Sequence, residues 1–161
     1  MEHKGTIRLE TDRLILRQFK IEDAENVFNN WAADDEVTKY LTWPTHSSVE
    51  MSRSYMEFCI NGYNEKNVYQ WGMEMKNSHE LIGNISVELG WVIGRKWWGN
   101  GYTAEAAERL LEFFFTEVSV NRICAGHDID NPNSGRVMQK IGMKYEGTLR
   151  QSGKNNQGIV D

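Results

Sequence analysis

Trp91-Val-Ile-Gly-Arg-Lys-Trp-Trp-Gly-Asn-Gly-Tyr-Thr-Ala-Glu-Ala106 is the stretch that decides how this chain reads. A β-like run, Leu89 to Ile93, leads into a turn with two closely spaced glycines, Gly99 and Gly101. A good helix sequence follows at once, Ala104 to Val118. A strand, a glycine turn and a helix start in that order gather several backbone N–H groups at one helix N-terminus. Those donors, with roughly half a positive charge from the helix dipole, suit a phosphate. Glycine matters at both positions because a side chain would hold an anion away from the backbone.

Three phosphate-loop readings fit this stretch unequally. A P-loop needs Lys and Ser/Thr directly after its second glycine; here Gly94 and Gly99 have the spacing, but Asn100 and Gly101 follow. A dinucleotide fingerprint is formally met by Gly99, Gly101 and Ala104, and it would make the protein an oxidoreductase. It comes late in the chain, and no acid closes a following strand; Glu117, near the required distance, reads as helical. The third reading is the pyrophosphate loop of acetyl-CoA-dependent N-acetyltransferases, [QR]-x-x-G-x-[GA]. Lys96-Trp97-Trp98-Gly99-Asn100-Gly101 is similar to it, with Lys in place of Gln or Arg. A plain connection that uses glycine only to turn remains the fourth possibility.

Working outward, 161 residues make one domain, residues 1–161, able to bury one good core. Hydrophobic residues at 40% and charged residues at 25% are ordinary for a globular chain. No apolar run has membrane-spanning length, and Met1 to Thr6 lacks the apolar core of a signal peptide, so a cytoplasmic protein with no membrane partner is expected. Cys59 and Cys124 read as reduced, buried small hydrophobes. His3, His46, His79 and His127 are scattered without ligand spacing, so no metal is expected. The net charge of −5 argues against a nucleic-acid partner and is compatible with a cationic amine substrate.

Strands are expected at Arg13–Phe19, Tyr69–Met75, Ile82–Val87, Arg122–His127 and Met143–Arg150. Helices are expected over Asp23–Trp31, from a Ser47/Glu50 capping box to about Gly62, along the stripe Ala104, Ala107, Leu110, Leu111 and Phe114, and over Ser134–Gly142. Mixed elements in this order predict an α/β (α+β) sandwich, with helices packed on a central sheet.

Four stretches together resemble the GNAT acetyltransferase superfamily, and within it the ribosomal-protein-alanine N-acetyltransferase-like branch. They are Leu9-Glu-Thr-Asp-Arg-Leu-Ile-Leu-Arg17, Leu81-Ile-Gly-Asn-Ile85, Trp98-Gly-Asn-Gly-Tyr-Thr-Ala-Glu-Ala106 and Asn131-Pro-Asn-Ser-Gly-Arg-Val-Met-Gln-Lys-Ile-Gly-Met-Lys-Tyr-Glu-Gly147. The resemblance covers nearly the whole chain. It implies a mixed central sheet splayed between two strands, helices on both faces, and acetyl-CoA in the gap as co-substrate. It also implies acetyl transfer to a primary amine by direct attack in a ternary complex, the acceptor being a protein N-terminus or a small molecule.

By the same resemblance, the strand Gly90 to Ile93, with Val92 and Ile93, offers backbone groups to the pantetheine arm. Lys96, Trp98, Gly99, Asn100, Gly101, Tyr102 and Thr103 form the cofactor loop, Thr103 adding a hydroxyl or merely capping the helix. An ammonium has no lone pair, so a base must take a proton; Glu88 fills that role, or else is an outward-facing strand residue. Ser134 contacts the leaving sulfur or caps its helix, and Asn131 bonds pantetheine or substrate or serves the turn. Many members of the family place a tyrosine acid where Met138 stands, so a tyrosine mechanism is in doubt and a non-catalytic acetyl-CoA-binding module is the alternative. Tyr40 and Trp43, with Glu88, frame the acceptor pocket in the segment Thr38 to Thr45, or plug the core. Two departures predict missing residues: no hairpin turn separates Val87 from Glu88, and the family's final strand is absent after Asp161.

Overall fold

The computed structural model describes residues 1–87 and 90–161. Its centre is a five-stranded antiparallel sheet in the order β1 (Leu9–Glu10), β2 (Leu14–Arg17), β3 (Gln70–Met75), β4 (Leu81–Ser86), β5 (Gly90–Ile93). Consecutive pairing follows from short connections, since antiparallel neighbours need only a turn between them. The expected alternation at Tyr69, Trp71, Met73 and Met75 is realised, and all four are buried. β4 departs from strict alternation. Met73 pairs with Gly83 and Glu74 with Leu81, so Ile82 is an extra residue on β4. That bulge sends Ile82 and Ile85, three apart, into the same core, while Leu81 faces the other.

Helices cover both faces, as expected. On one face, α4 (Tyr102–Phe113) packs Ala106, Ala107, Leu110 and Phe113 against Leu14, Leu16, Trp71 and Met73. On the other, a continuous helical run Ile21–Ala32, containing α1 (Ala24–Val27), and α3 (Val49–Gly62) bury Val27, Trp31, Met56 and Cys59 against Phe19, Leu81 and Val92. A short α2 (Asp35–Thr38) lies between them in sequence. The first helical run ends in a π-turn over Phe28–Ala32 and α4 ends in another over Phe114–Val118, each widening the last turn. The N-cap of α3 is Ser48, whose Oγ accepts from Met51 N at 3.4 Å, and not Ser47, so the expected box with Glu50 does not form.

β4 and β5 pair antiparallel with Ser86 opposite Gly90; the Val87/Glu88 junction, where a longer hairpin is expected, lies at the edge of the described residues. Two expected strands do not form. Arg122–His127 and Met143–Arg150 carry no ladder; between them α5 (Pro132–Lys140) forms as expected, and the chain ends in a hairpin of β6 (Gly153–Asn155) and β7 (Gly158–Val160). Cys59 is buried and free, and burial pushes its thiol up to about 11, so it stays protonated. Cys124 is free and exposed rather than buried, because its segment has not joined the sheet.

Arg17 ties β2 and β3 to the helical face. Its guanidinium holds Asp23 through paired bonds of 2.8 and 2.9 Å and also binds Glu74. Desolvation alone would raise the pKa of Glu74, but hydrogen bonds from Arg17 and then His79 win and hold it below its ordinary value. A carboxyl depressed on folding stabilises above its unfolded pKa and loses that contribution as pH falls through the folded one. Stability should therefore drop as pH falls below 4.5. Arg17→Met should lower stability at neutral pH by about 2 kcal/mol, discounted for partial exposure, and should shrink the acid loss. Urea midpoints at neutral and acid pH measure both.

Candidate active site

The glycine loop is built as a cradle. β5 is followed by Gly94, where an added Cβ would sit 2.3 Å from Asn30 O and 2.7 Å from the Trp97 ring, so the close approach itself requires glycine. A 3₁₀ turn, Arg95–Trp97, then sinks Trp97 into the core. Asn100 Nδ2 donates to Trp97 O at 3.2 Å and Trp98 O at 3.0 Å, folding the loop onto itself. Gly99 and Gly101 both take left-handed backbone, φ 76° and 80°. Gly101 is the N-cap of α4, and no side chain caps the helix. The first N–H groups of α4 are thereby left without a side-chain acceptor at a positive helix end. Among the described residues nothing lies within 4 Å of the Cβ position of Gly99.

The charge beside this cradle comes from an unexpected residue. Lys140 Nζ lies 3.3 Å from the Cβ position of Gly101, with Arg13 Nη2 at 3.6 Å. Lys140 makes no ion pair among the described residues. Arg13 stacks 4.3 Å over the Tyr102 ring and binds Glu105 Oε2 at 2.7 Å. Lys96, by contrast, turns away to an ion pair with Glu80 at 3.0 Å. Sequence reading missed Lys140 because 39 positions separate it from Gly101 and only the packing of α5 on α4 brings them together. Thr103 is buried at the helix start and Tyr102 half-buried. The cradle has the space, the donors and the cation that a diphosphate requires.

Among the described residues β5 is the last strand of the sheet, so one edge is open. Gly94 N donates to Ile82 O at 2.8 Å, which sets the alternation: 90, 92 and 94 point their backbone groups at β4, while 91 and 93 point theirs at the open edge. Ile93 O there accepts the indole N–H of Trp98 at 2.8 Å. Val92 is engaged with Asn84 across the ladder and its side chain is buried, so Trp91 and Ile93 are the residues that face the gap.

Asn131 and Ser134 are brought together. Asn131 caps α5 by accepting from Ser134 N at 3.4 Å, and its Nδ2 donates to Ser134 Oγ at 3.1 Å. Met138 is buried. Tyr40 lines a cavity of about 360 Å³ with Lys39, Asp128, Asp130, Gln157 and Val160. Trp43 packs instead on His46 and Tyr55, with ring centroids at 5.1 and 6.3 Å, against the core under α3. Burial lowers the pKa of His46, whose Nδ1 is bonded to Ser52 Oγ. Glu88, the expected base, lies outside the described residues.

Residues 13–144 match the acetyltransferase (GNAT) domain family. The chain belongs to the GNAT acetyltransferase family. Among its relatives is an uncharacterised N-acetyltransferase, YoaA, of Bacillus subtilis (strain 168), 36% identical over 89% of this chain and 86% of that one. The [ribosomal protein uS5]-alanine N-acetyltransferase of Escherichia coli (strain K12) is 25% identical over 88% and 80%. A GNAT-family acetyltransferase of Bacillus anthracis superposes with a TM-score of 0.83 at 26% identity, covering 96% of this chain and 93% of that one. This GNAT protein is an acetyl-CoA-dependent N-acetyltransferase, and the dinucleotide reading of its glycine loop falls away. No helix among the described residues is long and apolar enough to cross a membrane.

Proposed function

We propose that this N-acetyltransferase works in the cytoplasm on a primary amine, a protein N-terminal α-amine or a small molecule, by direct attack in a ternary complex. The observation that carries the reading is the uncapped start of α4 with its two left-handed glycines and Lys140 beside them. Acetyl-CoA supplies the activated acetyl group. The backbone amides of Gly99 to Thr103 and the ammonium of Lys140 hold its diphosphate, and the outward backbone groups of Trp91 and Ile93 align its arm along β5. Lys96, Trp98 and Val92 shape this loop and strand around those contacts.

Ser134 already accepts a bond from Asn131, so its own hydroxyl proton is left to donate to the departing sulfur. Glu88 takes the proton from the incoming ammonium, and Tyr40 walls the acceptor side. With Met138 at the position of the family's tyrosine, that proton-donor role passes to Ser134.

Calorimetric titration with acetyl-CoA, followed by an amine and N-terminal peptide panel read by free thiol, tests the reading. Tight binding with no thiol release from any acceptor would mark a binding module instead. Glu88→Gln should lower kcat/KM by about 10²-fold. The loss should be largest at the lower pH values, where the acceptor is an ammonium but the carboxylate is ionised. It should close at alkaline pH, where the amine is already neutral. A pH–rate profile parallel to wild type would remove Glu88 from the mechanism.

A further inference from the structure

The segment between α2 and α3 that carries Tyr40 and Trp43 has no ladder or helix to fix its shape. Its carbonyls are gathered by one residue, Asn156, in the two-residue turn between β6 and β7. Asn156 N donates to Leu41 O at 3.0 Å. Its Nδ2 donates to Thr38 O at 2.9 Å and to Trp43 O at 2.7 Å. The backbone donor and both amide hydrogens of a single residue are thus committed to one loop.

The neighbouring Asn155 reaches the other way. It is buried, and its Nδ2 donates to Asp128 Oδ2 at 2.5 Å. Asp128 O in turn accepts from Asn131 N at 2.8 Å, and Asn131 caps α5 beside Ser134. The turn therefore joins the Tyr40 loop to the start of α5, and the cavity lined by Tyr40 and Asp128 lies between them. A hairpin of two three-residue strands is not stable alone, so its order depends on these bonds as much as the loop does.

We propose that Asn156 is the positioning residue of the acceptor pocket: it fixes the backbone from Thr38 to Trp43, and through it the place of Tyr40 against the start of α5. The proposal rests on the reading that the acceptor amine enters between that loop and Ser134. Asn156 touches neither substrate in this scheme; it acts through the loop.

The test uses the full chain saturated with acetyl-CoA. Asn156→Ala should speed amide hydrogen exchange over residues 38–46 about tenfold, while residues 99–111 keep their protection. With the best acceptor of the amine and peptide panel as probe, KM for that acceptor should rise about tenfold, with kcat and the Kd for acetyl-CoA within about twofold of wild type. Asn156→Asp, which puts a carboxylate against two carbonyls, should behave like alanine; Asn156→Gln, which keeps the amide donors, should recover part of the KM. Unchanged exchange over 38–46 overturns the proposal. So does a lowered melting temperature with an unchanged acceptor KM, which would make Asn156 a structural tie only. Failure of wild type to bind acetyl-CoA would instead sink the functional reading, independently of the exchange result.

Discussion

Gly101→Val should raise the Kd for acetyl-CoA about 10³-fold while the protein still folds. The backbone at Gly101 has φ 80°, where a β-branched side chain is an outlier. To relieve the strain the loop must rotate, and rotation turns the amides of α4 away from the diphosphate. The new Cβ would also crowd Lys140 Nζ at 3.3 Å and Arg13 Nη2 at 3.6 Å, moving the cation proposed to complement the phosphates. Lys140→Ala separates the two contributions. It leaves the amides in place, so it should weaken binding only about tenfold, and its deficit should shrink as salt rises. Calorimetric titration at low and high salt measures both variants. A Gly101→Val protein that binds like wild type would mean that the cofactor does not lie at this helix start.

Phe113→Ala should lower stability by about 4 kcal/mol with little effect on the Kd of the folded protein. Phe113 is fully buried. Its ring makes edge-on contacts with Trp71 at 6.0 Å, Tyr69 at 6.2 Å and Phe114 at 5.3 Å, the preferred geometry for aromatic pairs. Those partners come from the central strand and from the π-turn that ends α4, and neither can collapse far into the space left. The urea midpoint should fall at unchanged slope. A loss below about 2 kcal/mol would mean that the core relaxes around the missing ring.

Local signals carried much of this fold. The alternation of Tyr69 to Met75 and the stripe Ala104 to Phe114 are each set by a single segment, and both were legible. So was the glycine cradle, because left-handed backbone before a helix calls for glycine at those positions. The strands expected at Arg122–His127 and Met143–Arg150 were not a safe inference. A short apolar run becomes a strand only when a distant edge accepts it, and residue composition cannot report that. The same limit hid the cation. Lys96 stands at the motif position, but Glu80 claims it, whereas Lys140 arrives from another helix. The capping-box pattern pointed to Ser47, and the chain direction entering α3 selects Ser48 instead. The proposed acceptor side was least legible. Tyr40 lines a cavity while Trp43, three residues on, turns into the core, and an irregular loop has no period from which to read that difference.

The additional residue at Ile82 has a consequence for how this gene can vary. Upstream of it β4 serves the cores in one phase, downstream in the other, and Ile82 is the point of changeover. An in-frame deletion of that single codon would leave Leu81 opposite Glu74 and Gly83 opposite Met73 in regular pairing, with Asn84 still beside the Tyr55 hydroxyl that it meets at 3.1 Å, and would remove only the Ile82 side chain from its core. β4 can therefore lose its additional residue without exchanging the two faces of the sheet.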